Sequence, residues 1–168
     1  MNPMDEVRLE KVTVNMSFAG RQERQNAAVT VLQSLVDQKP VITRAKSTVR
    51  DFGIHKGEPM AAVATLRGKA AEDFLNRALS AVNKRIKASS FDGRSTYNFG
   101  IAEHITIPGT KYVPELGIFG MNVAITLSKP GRRVALRREN PSSLPPKKYV
   151  SREEAEEFMT KKFGVVFE

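Results

Sequence analysis

Cysteine is absent from all 168 residues, which excludes disulfide staples, thiolate-bound zinc and thiol nucleophiles together. Histidine occurs only as His55 and His104; neither stands in a metal-ligand spacing or beside a nucleophile, and both are expected to be surface or ligand-facing residues. No stretch is long and apolar enough to cross a membrane. Met1 to Glu10 holds Asp5, Glu6, Arg8 and Glu10 without an apolar run, so no signal peptide is expected and no membrane partner. The glycines at 53 and 57 lack the Lys and Ser/Thr order of a phosphate-cradling loop, no GxGxxG follows a strand, and no internal repeat is found. Neither a cofactor nor a metal is expected, and enzyme activity has no visible carrier.

What the chain does have is positive charge. Against 18 Asp and Glu stand 27 Lys and Arg, giving a net charge of +9 and a pI near 10.0, which points to a polyanionic partner. A hydrophobic share of 40% with 9 Phe supplies one core, and a chain of this length buries roughly 70% of its unfolded surface. A single cytoplasmic domain over 1–168 is the expectation.

Lys11 to Phe18 alternates, with Val12, Val14, Met16 and Phe18 on one side and Lys11, Thr13, Asn15 and Ser17 on the other, the pattern of a half-buried strand broken at Gly20. Gln22 to Gln38 spaces Ala27, Ala28, Val31, Leu32, Leu35 and Val36 at helical intervals. Pro40 closes that helix before a short strand, Val41 to Lys46, and a long exposed loop, Ser47 to Pro59. A strand is predicted over Met60 to Arg67, then a helix over Lys69 to Lys87 whose apolar period runs through Val82 and Ile86. Ala88 to Gly100 reads as a loop pinned by Phe91, Tyr97 and Phe99, Ala102 to Ile107 as a strand, and Gly120 to Ser128 as another. Lys129 to about residue 150 reads as a basic arm rich in Pro and Ser, and Ser151 with Glu154 forms a capping box for a helix reaching Phe163.

These elements imply an α+β fold, a mostly antiparallel sheet with helices on one face. The other face then carries short hydrogen-bonding side chains: Thr13, Asn15 and Ser17; Thr65 and Arg67; His104 and Thr106; Asn122, Thr126 and Ser128. Such a platform suits the shallow minor groove of RNA, with Lys and Arg neutralising phosphates around it. Lys129 to Arg138 adds five basic residues and no acidic one, with Arg132, Arg133, Arg137 and Arg138 as phosphate contacts of an arm that orders on its partner. Glu153, Glu154, Glu156 and Glu157 read as a solvated helix face.

Longer strings are more specific. Gln38-Lys39-Pro40-Val41-Ile42-Thr43-Arg44-Ala45-Lys46, Val63-Ala64-Thr65-Leu66-Arg67-Gly68, Ser90-Phe91-Asp92-Gly93-Arg94, Tyr97-Asn98-Phe99-Gly100-Ile101 and Gly117-Ile118-Phe119-Gly120-Met121 run in the order found in ribosomal protein L-five. The chain resembles that family over nearly its whole length, in its archaeal form. The resemblance implies a structural constituent of the large ribosomal subunit whose sheet binds 5S rRNA and anchors it in the central protuberance. Asn15, Gln38, Lys39, Thr65, Arg67, Arg94 and Thr126 would face rRNA. Lys46, Arg50, His55 and Lys56, on the loop Ala45 to Pro59, would contact P-site tRNA. The partners implied are 5S rRNA, large-subunit rRNA, P-site tRNA, the neighbouring 5S-binding ribosomal protein and a small-subunit head protein at an intersubunit bridge. An RNA chaperone or RNA-processing protein on the same fold is the alternative at this point.

Overall fold

The computed structural model describes residues 3–18 and 22–168; Gly20, the expected strand break, lies outside the described residues. The first strand, β1 (Arg8–Ser17), starts three residues earlier than the alternation suggests and buries Val12, Val14 and Met16 completely. It is the central strand. On one side it pairs antiparallel with β3 (Pro59–Leu66), which pairs with the edge strand β2 (Val41–Arg44). On the other it pairs with β6 (Met121–Ser128), which pairs with the second edge strand, β5 (Thr96–Ile101). The order is β2-β3-β1-β6-β5 and every pairing is antiparallel.

One face of this sheet is the core. The helices α1 (Gln22–Val36) and α2 (Gly68–Ala81) bury Ala28, Leu32 and Leu35 and Ala71, Phe74, Leu75 and Leu79 in the same apolar cluster as Val12, Val14 and Met16. Fully covering a Val, Leu, Met or Phe side chain is worth about 1.5–3 kcal/mol, an Ala less. The last helix, α4 (Arg152–Phe163), adds Ala155, Met159 and Phe163. Its capping box forms as expected: Glu154 N–H donates to Ser151 Oγ at 3.3 Å, and Ser151 N–H donates to the Glu154 carboxylate at 3.0 Å.

Several expectations are corrected. The second helix stops at Ala81 because Asn83 and Lys84 take left-handed φ values of 54° and 57°. Ile86 therefore enters a short strand, β4 (Arg85–Ile86), parallel to β7 (Val166–Phe167), and is buried there. Thr96–Ile101 is a strand rather than loop. Its inward Tyr97 is buried between the rings of Phe91 and Phe167, with centroids at 4.9 and 5.2 Å. Asp92 makes the turn into it: Oδ1 accepts the backbone N–H groups of Arg94, Ser95 and Thr96 at 2.8, 3.0 and 2.8 Å. Partial burial pushes the Asp92 pKa up, but those three donors outweigh it and hold the carboxyl below its usual value.

The expected strand over Ala102 to Ile107 is a single 3₁₀ turn, His104–Thr106. His104 is 2% exposed and accepts the Phe119 N–H at Nδ1 (3.3 Å), so it belongs to the interior and not to a ligand-facing surface. Burial lowers its pKa below the ordinary 6.5.

The arm is folded. After Lys129 comes a four-residue helix, α3 (Arg133–Leu136), with a return through Ser142 N–H to the Val134 carbonyl at 3.2 Å. Lys129, expected at a phosphate, is 6% exposed with Nζ 2.7 Å from the Glu154 carboxylate. Glu154 is thus a cap and an ion-pair partner rather than part of a solvated face, and Glu156 likewise holds Arg152 at 2.8 Å.

Two titrating groups, the half-exposed Glu154 and the buried His104, make stability depend on pH. Burial raises the Glu154 pKa, but the Lys129 and Ser151 hydrogen bonds more than offset this and leave it below 4.5; its stabilisation is present above that pH and lost as pH falls through the folded value. Glu154→Gln, which keeps a capping side chain but strands the Lys129 charge, should cost about 1–3 kcal/mol in urea unfolding at neutral pH and flatten the acid limb below pH 4.5. His104 protonates more readily unfolded than folded, so stability should decline as pH drops below 6.5; His104→Asn should remove that slope in thermal melts across pH 5–7.

Candidate nucleic-acid interface

Among the described residues no helix covers the outer face of the sheet, and strand register arranges its side chains in rows. Thr43, Ala61 and Ser17 form one; Val41, Val63, Asn15, Asn122 and Gly100 the next; Thr65, Thr13, Ala124 and Asn98 a third. These three rows carry no charge. The row beyond them, Lys11, Thr126 and Thr96, brings the first positive charge, Lys11, and is followed by Ser128 and by Arg8, which holds Glu6 at 2.7 Å. Alternation along β1 turns its polar residues outward by burying its apolar ones, so the platform is the reverse side of the core.

Asn15 and Thr65 lie on this face in adjacent rows, Asn15 half-buried and Thr65 exposed. Asn15 Oδ1 is buried without a hydrogen-bond partner. Gln38 and Lys39 are exposed just before β2, at the edge of the sheet. Arg67 follows β3 and directs Nη1 toward the Glu10 carbonyl at 3.5 Å. Arg94 is exposed on the Asp92 turn that leads into β5. Thr126 is corrected: it shares the face but is only 7% exposed, so it offers a ligand little surface. The polar residues next to β6 are Thr96, Asn98 and Gly100 of β5, not His104 and Thr106; the small polar character of these β5 residues is what made the segment look like a loop.

The loop after β2 has its own internal frame. Ala45 N–H donates to the Glu58 carbonyl at 2.8 Å and Gly57 N–H to the Ala45 carbonyl at 2.9 Å, closing its base. Val49 and Ile54 bridge across the tip, and Gly53, at φ 65°, ends the 3₁₀ turn Arg50–Phe52. Lys56 N–H donates to Thr48 Oγ1 at 3.1 Å, and His55 N–H to Glu58 at 3.0 Å. Lys46, Arg50, His55 and Lys56 are all exposed on this loop. So is Phe52, at 79%, a residue the charge-led reading passed over. An aromatic among basic loop residues was the available signal.

The arm gathers Arg133, Arg137 and Arg138 around a shallow concavity with Val134, Glu139 and Asn140. Arg132 is drawn away from it, with Nη1 2.7 Å from Glu10. Lys148 meets Asp5 at 3.0 Å, so both ends of the arm are tied to the N-terminal segment.

Comparison with known proteins agrees with this architecture. Residues 2–55 match the family described as Ribosomal protein L5, and residues 59–167 match the family described as the C-terminus of the same ribosomal proteins. The large ribosomal subunit protein uL5 of Sulfurisphaera tokodaii is 55% identical over 166 residues, covering 98% of this chain and 94% of that protein. The uL5 proteins of Aeropyrum pernix and Methanobrevibacter smithii are 48% and 44% identical, over 99% and 98% of this chain and 87% and 97% of their own lengths. Neither ribosomal family names an enzyme. The platform, the basic loop and the arm therefore sit on a chain that belongs to the ribosomal protein L5 family in its archaeal form, a structural, RNA-binding constituent of the large subunit, located in the cytoplasmic ribosome.

Proposed function

We propose that the outer sheet face binds 5S rRNA and anchors it in the central protuberance, that the framed loop reaches P-site tRNA, and that the arm holds large-subunit rRNA phosphates. The chain does this as one domain over 1–168. The observation that carries the reading is the set of three uncharged, in-register rows, with Lys11 in the row next to them, on a face that no helix covers among the described residues. Register and specificity come from uncharged donors and acceptors; affinity comes from cations, which are sequence-indifferent.

Asn15, Thr65 and the exposed Gln38, Lys39, Arg67 and Arg94 are the rRNA contacts. Arg133, Arg137 and Arg138 contact phosphate on the arm, while Arg132 contributes mainly by pinning the arm to Glu10. Because three ion pairs join the arm to the body, it meets RNA already folded and loses less entropy on binding than a disordered tail. On the loop, Lys46, Arg50, His55 and Lys56 meet the tRNA backbone, and Phe52 presents a ring at the tip. The neighbouring 5S-binding ribosomal protein and a small-subunit head protein across the intersubunit bridge are the protein partners.

The decisive measurement is binding to 5S rRNA, tRNA and an unrelated stem-loop across a salt series. Preference for 5S rRNA should persist at high salt, and Thr65→Phe should weaken 5S binding about tenfold or more with an unchanged circular dichroism spectrum. Equal binding to all three RNAs, vanishing together as salt rises, would reduce the reading to charge alone. For the loop, ribosomes carrying Phe52→Ala should release P-site tRNA about fivefold faster or more, and the isolated variant should melt at the unaltered temperature, since the ring is exposed.

A further inference from the structure

One cross-strand row is left with three features the fold does not explain. Val41, Val63, Asn15, Asn122 and Gly100 stand side by side, one from each strand, across about 19 Å at four inter-strand spacings. Val41 is 68% exposed, and with half-buried Val63 beside it makes an apolar spot on a hydrogen-bonding face. Asn15 Oδ1 is shut off from water and bonded to nothing, a state that costs stability. Gly100 sits inside a strand, where glycine is a poor choice. Its φ lies outside the left-handed region, and a Cβ there would meet only Asn122 Oδ1, at an ordinary 3.5 Å. Neither backbone conformation nor internal packing calls for a glycine, which leaves close approach from outside.

We propose that this row is a seat for an unpaired RNA base. The inference rests on the reading of the outer face as an RNA platform and says what the platform recognises. A base has an apolar π face and an edge of donors and acceptors. Val41 and Val63 cover the face. The carboxamide of the exposed Asn122, its Oδ1 accepting and its Nδ2 donating, meets the edge, with the Asn15 carboxamide beside it in the same row. Gly100 leaves room for the sugar and phosphate that follow. A phosphate alone fits poorly: it has no hydrogen to give Oδ1 and no apolar surface for Val41. A paired base keeps its faces stacked in the helix, so the ligand comes from a loop or bulge, where RNA bases can be splayed out.

The test compares the unaltered chain, Val41→Ser and Gly100→Val on 5S rRNA and on the same RNA with abasic residues in its loops. Each variant should bind intact RNA about tenfold more weakly, with the slope of log K against log salt unchanged because no charge is altered. On the abasic RNA the unaltered chain and Val41→Ser should bind alike, whereas Gly100→Val, which crowds the sugar and phosphate that remain, should keep its penalty. Gly100→Val should melt at or above the unaltered chain; if it melts lower, Val41→Ser, whose side chain is mostly in solvent, decides alone. Unaltered 5S affinity in Val41→Ser, or a Val41→Ser penalty that persists on abasic RNA, overturns the seat while leaving the platform standing. Loss of 5S preference in the unaltered chain itself would instead overturn the platform, and the seat with it.

Discussion

The two-residue period of β1 is the constraint on which everything else rests. A central strand paired on both sides must commit each side chain to one face, and burying Val12, Val14 and Met16 turns Thr13, Asn15 and Ser17 outward. A slip of one residue against β3 or β6 would invert both faces at once. Core and platform are thus one decision made twice, and the energy that fixes the platform's geometry comes from burial on the opposite side. An outward row needs no interactions of its own to stay aligned, so its side chains are available for a ligand.

The positive charge is divided by neighbours. Lys129 and Arg132 are committed to Glu154 and Glu10, and Lys148 is tied to Asp5, whereas Arg133, Arg137 and Arg138 remain on the surface. The first group positions the arm and the second gives it a charged front. A run of basic residues therefore performs two tasks, told apart only by which carboxylates the fold brings close.

Where periodicity and burial coincide, the sequence was legible: β1, α1, β6 and the capped α4 follow their patterns closely. It misled where composition served the platform. Thr96, Asn98 and Gly100 are turn-forming types used as one face of a strand, so β5 looked like a loop, and the role of fourth strand was handed to residues that include the buried His104. Ile86 kept helical spacing, but Asn83 and Lys84 had already turned the chain. The buried partner of Lys129, the shielding of Thr126 and the exposure of Phe52 depend on tertiary neighbours, which no local pattern contains.

The strand order has a consequence for the timing of assembly. β1 emerges first from the peptide tunnel, yet one of its edges is completed by β3 and the other only by β6, well over half the chain later. Such non-local pairing makes folding slow to nucleate and leaves a half-finished sheet with an open edge while synthesis proceeds. The two family segments meet inside the β2–β3 loop, and neither holds β1 together with both of its neighbours. Until β6 and β5 close, a nascent chain holds only the β2-β3-β1 part of the outer face, and the row that runs through all five strands exists only when the last of them is in place.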